Sequence, residues 1–175
     1  MCYDHADFRI VFLKSGNFMN KLLIEQGYRN IEELGQGCFG VVFKARETGA
    51  DHAVVLKVIR RDALGYRGEA SLKLRQEVGI LSGLDHRYVA AVQAVGEWAE
   101  KITIETEYID GFDVEAFRRR NNRLEPQRAT SVLIQTAEGL GHLHGNGMVH
   151  GNLKPSNIMI VRREDKFETK ILDFG

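Results

Sequence analysis

The chain has little cysteine, no net charge and no long apolar run, and each shortage narrows what it can be. Cys2 and Cys38 are its only cysteines, too few for a disulfide framework and in keeping with a reducing compartment. Lys+Arg 24 balances Asp+Glu 24, a formal net charge of +0 at pH 7, so no global field draws it to nucleic acid or a membrane. No apolar stretch approaches the roughly 20 residues that span a bilayer. The run from Ile10 to Leu13, preceded by Asp4 and Asp7, is too short for the core of a signal peptide. Internal repeats and low-complexity linkers are also missing. These shortages lead to the expectation of a soluble cytoplasmic protein with neither nucleic acid nor membrane as partner. Its 175 residues suit one ordinary domain or two small lobes sharing a core.

What is present divides by pattern. Residues 1–27 read as an N-terminal extension, of which 1–18 carry no motif and precede a second methionine, Met19. From Tyr28 to Ile109 the chain reads as strands interrupted by one helix. Val41-Val42-Phe43 and Ala53-Val54-Val55-Leu56 are β-branched runs joined by a turn at Thr48-Gly49-Ala50-Asp51. Leu74, Val78, Leu81 and Leu84 recur at helical spacing. Val92 to Trp98 and Lys101 to Tyr108 form a second antiparallel pair around Ala99-Glu100. Beyond Gly111, in residues 110–175, Ala129, Val132, Leu133, Thr136, Ala137, Leu140 and His144 trace one face of a long helix. That helix is expected to end at Gly145-Asn146-Gly147. A β-rich front and a helical back predict a two-lobed α+β fold.

Several short segments carry chemistry. Gly35-Gln36-Gly37-Cys38-Phe39-Gly40 fits Gly-x-Gly-x-x-Gly, and its surroundings sort the meanings of that motif. A dinucleotide fold needs a helix directly after the glycines, whereas Val41-Val42-Phe43 favours a strand. A Walker loop needs a terminal Gly-Lys-Ser/Thr, which the segment lacks. A glycine-rich hairpin over nucleotide phosphates and an ordinary Gly-rich hairpin both remain. Lys57 follows an apolar run, where a lysine is usually a snorkelling edge residue. Glu77, however, shares a helical face with Leu74 and Leu81. An inward carboxylate needs a partner, and Lys57 is the natural one. Arg118-Arg119-Arg120 and Arg123 read as a solvated helix face ahead of a docking patch. His142, His144 and His150 lack the spacing of a zinc site.

His150-Gly151-Asn152-Leu153-Lys154-Pro155-Ser156-Asn157 resembles the catalytic loop of the protein kinase family, His-Arg-Asp-Leu-Lys-Pro-x-Asn. Around it stand the glycine loop, Val54-Val55-Leu56-Lys57, Glu77, the interlobe linker Ile104 to Gly111, and the final Asp173-Phe174-Gly175. Six motifs in family order make accidental likeness very improbable. The resemblance covers residues 28–175 and implies a protein-kinase-like fold: a β-rich small lobe with the hinge, 28–109, and a truncated helical large lobe, 110–175. Lys154-Pro155 points to the serine/threonine branch.

The resemblance also implies ATP and Mg²⁺ as cofactors. Gly35, Gly37, Cys38, Phe39 and Gly40 would lie over the phosphates. Val42 and Val55 would face the adenine, and Lys57 would hold the α/β-phosphates while paired with Glu77. Thr106 would be the gatekeeper, and the backbone from Glu107 to Ile109 would meet the adenine edge. Ile158-Met159-Ile160 would form an apolar floor beneath it. Lys154 would steady the transferred phosphate, while Asn157 and Asp173 would bind Mg²⁺. His144 and His150 fall at positions of structural histidines. Three departures matter. Val55 stands where the family usually has Ala, crowding the adenine. Gly151 replaces Arg. Asn152 replaces the catalytic Asp, and a neutral amide is not a useful base. The expectation is an ATP-binding, pseudokinase-type module, with an active serine/threonine kinase and an inert fragment as alternatives. A protein partner is expected to cover the large lobe's open apolar face.

Overall fold

Strand alternation gives the small lobe its two faces. In β2 (Gly40–Glu47) Val41, Phe43 and Ala45 are buried, and in β3 (Ala53–Arg60) Val54, Leu56 and Val58 are buried. Because Phe43 pairs with Leu56 and Ala45 with Val54, these side chains lie on one side of the sheet. The computed structural model describes residues 19–37, 40–60, 79–80, 82–98, 101–121, 123–163 and 166–173. With β1 (Tyr28–Gln36), β4 (Val92–Trp98) and β5 (Lys101–Glu107), the strands form a five-stranded antiparallel sheet in the order β1-β2-β3-β5-β4. The two expected strand pairs and the turn between β2 and β3 are all observed. Gly49 takes φ +94° in that turn, a conformation glycine adopts without steric cost.

The buried face is covered from the N-terminal side. Residues 19–25 are helical, and Met19 and Leu23 join Val41, Phe43, Ala45, Val54, Leu56 and Val58 in one apolar cluster. Tyr28 packs at its edge and donates its hydroxyl to the buried Glu105 carboxylate. Burial and that carboxylate raise the phenol's pKa. Of the helix expected around Leu74 to Leu84, residues 79–80 are helical, while 61–78 and 81 lie outside the described residues. Leu84 falls beyond the helix, in a loop, and packs half-buried against a second cluster of Val89, Val92, Leu143 and Met148.

The large lobe is built from α1 (Val114–Asn121), α2 (Pro126–Gly145) and a three-stranded sheet, β6 (Phe112–Asp113), β7 (Ile158–Arg163) and β8 (Lys166–Ile171). Asp113 accepts a hydrogen bond from the Ala116 N–H at 2.6 Å, capping α1, and the exposed Arg118–Arg120 occupy its last turn. That placement complements the helix dipole. α2 opens on Pro126 and closes with Asn146 as its cap and Gly147 at φ +74°, as the sequence led one to expect. Its inward face coincides with the expected one in part, with Ala129 and Leu140 half-buried. Val132, Thr136, Gly139 and Leu143 are buried, whereas Leu133 is 68% exposed, Ile134 is 54% exposed, and Ala137 and His144 face outward. Of the expected face, Leu133, Ala137 and His144 lie outside the buried stripe, because apolar character alone does not mark the contact side. A glycine, Gly139, marks the true contact: a Cβ there would lie 2.8 Å from Ile171 Cδ1 and 3.2 Å from the Tyr88 carbonyl.

Leu23 offers a direct test of how firmly the helix at 19–25 belongs to the small lobe. Its side chain is fully buried, and Leu→Ala changes at such sites cost about 2–5 kcal/mol. Leu23→Ala should lower the unfolding free energy by that amount in urea denaturation. A loss below about 1 kcal/mol would show that this helix is not part of the cooperative core.

Candidate functional site

The second face of the small-lobe sheet, opposite the apolar cluster, gathers the residues singled out by sequence. Val42 pairs with Lys57, Lys44 with Val55, Val55 with Thr106 and Lys57 with Ile104. Direct cross-strand partners project to the same side, so Val42, Lys44, Val55, Lys57 and Thr106 form one wall. Gly35 pairs with Val42 at the end of β1, and the Gly37 N–H donates to the Gly40 carbonyl at 2.9 Å. The glycines differ in their reasons. A Cβ on Gly40 would sit 1.9 Å from the Val58 carbonyl oxygen, while Gly35 and Gly37 border open space. The third glycine is therefore required by strand pairing itself. Cys38 and Phe39, expected at the tip, lie outside the described residues, as does Glu77.

Lys57 reaches across the cleft. Its Nζ lies 3.4 Å from Asp173 Oδ1, with the two side chains 26% and 44% exposed. Asp173 adopts φ +54°, a left-handed conformation uncommon outside glycine, though Asp is among the residues that tolerate it.

The loop from His150 to Asn157 is tied to this point by hydrogen bonds to its main chain. The Asn152 N–H donates to the His150 carbonyl at 2.8 Å, and the Asn157 side-chain amide donates to the Asn152 carbonyl at 2.9 Å. The Leu172 N–H then donates to the Asn157 carbonyl at 2.9 Å. Asn157 and His150 are buried, whereas Asn152 and Lys154 are exposed. Gly151 takes φ +70°, a conformation easy for glycine and strained for the arginine it replaces. Positions 152, 157 and 173 are thus brought together, with Lys57 opposite.

The linker between the lobes closes the back. Tyr108 and Ile109 are half-buried, and Lys44 Nζ lies 3.8 Å from the centre of the Tyr108 ring, a cation–π contact. Among the described residues, no backbone hydrogen bond engages Ile109. Below, the three residues of the expected floor are divided between the two faces of β7. Ile158 pairs with Ile171 and Ile160 with Thr169, and Ile171 meets Gly139 of α2. Strand alternation puts Ile158 and Ile160 on the face that carries Ile171 and leaves Met159 on the opposite face with its partner Lys170.

Two pairings escaped the sequence reading. Lys170 Nζ lies 2.7 Å from Glu107 Oε1, and that oxygen also accepts the Ala91 N–H at 2.9 Å. The His86 and His142 rings stack at 4.7 Å between centroids, 20° from parallel. They join the loop before β4 to α2. No periodicity marks either pairing, because each depends on segments far apart in sequence.

Comparison with known proteins agrees with this geometry. The protein kinase domain family model matches residues 28–175. The chain is 34% identical over 148 residues to NUAK family SNF1-like kinase 2 of Rattus norvegicus, covering 85% of this chain and 23% of that protein. It is 29% identical over 152 residues to myosin light chain kinase A of Dictyostelium discoideum, covering 87% of this chain and 51% of that protein. Among solved structures, Rad53 1-466 in complex with AMP-PNP aligns with a TM-score of 0.75 at 25% identity, covering 87% of this chain and 39% of that one. The PknI kinase domain of Mycobacterium tuberculosis shares the fold, with a TM-score of 0.73 at 23% identity over 85% of this chain and 58% of that one. The chain belongs to the protein kinase domain family and has its two-lobed α+β fold.

The histidine stack makes stability depend on pH. Burial lowers the His86 pKa most. The neighbouring His142 lowers it further, Glu138 opposes the shift, and Lys170 and Arg87 add to it. With a folded value below the unfolded value of about 6.5, the unfolded chain binds more protons as the solution is acidified. The contribution is present above about pH 6.5 and is lost as pH falls towards the folded value. His86→Gln should therefore show a stability deficit that shrinks between pH 7.5 and 5.5 in parallel urea titrations. A deficit constant across that range would contradict the shift.

Proposed function

We propose that this chain is a kinase-type module that binds Mg·ATP between its lobes and transfers phosphate poorly. The observation that carries this reading is the approach of Lys57 and Asp173 across the cleft at 3.4 Å, beside a wall of Val42, Val55 and Thr106. A lysine ammonium and a carboxylate so placed suit opposite ends of a metal–phosphate group. The backbone of Ile109, without a hydrogen bond among the described residues, leaves polar groups for the edge of a base. The relative Rad53 was solved in complex with AMP-PNP, which supports the same ligand class here.

The Asp173 carboxylate and the Asn157 side-chain oxygen are hard donors that fit Mg²⁺. Such ions are usually held by one or two protein ligands together with substrate phosphates. No larger group of His, Cys, Asp or Glu suited to a metal occurs among the described residues. Bound Mg²⁺ would neutralise phosphate charge. Lys57 would hold the phosphates, and Lys154, exposed on the loop, would steady the terminal one. Asn152 stands where a base would accept the substrate hydroxyl proton, and an amide cannot take it. The exposed Leu133, Ile134 and Val149 form the surface on which further polypeptide, supplied by a partner, would pack. The reading places the module in the cytoplasm.

Mg·ATP at millimolar concentration should raise the melting temperature of the full chain, since a ligand that binds only the folded state stabilises it. Lys57→Ala and Asp173→Ala should each abolish the shift, and Val55→Ala should enlarge it by relieving the crowded base. A folded wild type with no shift in Mg·ATP would end this reading.

Phosphotransfer is a separate expectation. Loss of a positioned general base typically lowers rate by roughly 10²–10⁴-fold. Transfer from radiolabelled ATP to a generic serine/threonine substrate should be near background, and Asn152→Asp should raise it. Robust turnover by the wild type that disappears in Asp173→Ala would establish an active kinase instead.

A further inference from the structure

We infer that the Glu107–Lys170 ion pair is a positioning device that sets the distance between the base-binding linker and the metal-binding residues. The inference rests on the Mg·ATP reading above and adds two residues' side chains to it. Glu107 ends β5 and directly precedes Tyr108 and Ile109, and Lys170 lies on β8 three residues before Asp173. One oxygen of Glu107 receives both Lys170 Nζ at 2.7 Å and the Ala91 N–H at 2.9 Å. The same ammonium reaches the Val89 carbonyl at 3.3 Å. The side chains are only 17% and 28% exposed, so these charge-assisted bonds are partly shielded from water and short.

The chain segments on both sides of the pair are already fixed. Towards the metal, Ile171 exchanges backbone hydrogen bonds with Tyr88 and Ala90 at 2.8 and 2.9 Å, and Leu172 is held by Asn157. Towards the base, the Glu107 N–H donates to the Ala91 carbonyl at 3.0 Å. The ion pair is the side-chain link between these two rigid pieces. Met159 is the direct strand partner of Lys170, so the two side chains lie on one face of β7 and β8. A nucleotide that touches the linker at one end and Asp173 at the other must match the spacing the pair maintains. A ligand that touches only the linker need not.

This difference separates positioning from simple stabilisation. A structural role would weaken all ligands together or none, whereas a positioning role weakens the ligand that spans both ends. Adenosine and Mg·ATP are the two probes, measured by calorimetric titration on the full chain well below its melting temperature. Lys170→Met and Glu107→Gln are expected to weaken Mg·ATP roughly five- to tenfold, within the usual range for coupling between sites, and to leave adenosine within about twofold. The double variant should be no worse than either single one, because both remove the same interaction. Lys170→Arg, which keeps the cation, should stay near wild type. Should Lys170→Met fail to fold, Glu107→Gln keeps the shape and the acceptor for Ala91 and carries the test alone. Wild-type binding of both probes with an unchanged affinity ratio in the variants overturns this inference and leaves the nucleotide reading intact. A wild type that binds neither probe overturns both.

Discussion

Ile171 is the residue through which the two halves of the molecule become one. Its N–H donates to the Tyr88 carbonyl and its carbonyl accepts from the Ala90 N–H, at 2.8 and 2.9 Å, while its side chain is fully buried. A residue with both backbone groups engaged and no exposed surface has no low-cost way to move, because unpaired buried polar groups cost about 1–3 kcal/mol each. The segment leading into the small lobe's β4 is thereby fastened to the large lobe's β8. α2 fits against this junction only because position 139 is glycine. Asp173 follows two residues later, so the backbone joint at Ile171 sets where its carboxylate meets Lys57.

The same economy appears in the small-lobe sheet. Residues alternating along β2 and β3 send Phe43, Leu56 and Val58 into the apolar cluster and Val42, Val55 and Lys57 into the cleft. A shift of one residue in register would exchange the two sets. The site is therefore protected by the hydrophobic core: the register that buries Phe43 and Leu56 is the one that aims Lys57 at Asp173. The helix at 19–25 strengthens that choice by covering one face only. A residue can thus matter to the cleft without lying near it.

Much of this was legible in the sequence, for physical reasons that can be located. The strands of the small lobe declare themselves through β-branched runs, and the end of α2 through Gly145-Asn146-Gly147, because these signals are local. The segments around Gly40, Lys57, Asn157 and Asp173 were legible because their residue types and order are distinctive. Where burial depends on distant segments, the reading failed. Leu133 looked like a core residue, but Gly139 is the buried contact; hydrophobicity favours the first, and a close approach selects the second. Ile158 and Ile160 were expected in one floor with Met159 and instead share a face with Ile171, since an apolar run does not reveal which side of a strand meets which neighbour. His86 with His142, and Glu107 with Lys170, are invisible to any periodicity. Their partners are 56 and 63 positions apart.

The loop at His150–Asn157 carries a further lesson about how structure and chemistry divide. Residue 152 serves its neighbours through its main chain: its N–H donates to His150, and its carbonyl accepts from the buried Asn157. Its side chain lies on an exposed residue and makes no hydrogen bond among the described residues. An aspartate and an asparagine have nearly the same shape, so either can occupy the position with these bonds intact. Exchange between them alters proton-accepting capacity without altering the scaffold. Gly151 acts in the same direction, since its φ of +70° costs a glycine nothing and would cost an arginine strain. The loop therefore keeps the geometry that joins Asn157, Leu172 and Asp173 whatever titratable group position 152 presents. Under the proposed reading, nucleotide binding and phosphate transfer would make separable demands on the sequence.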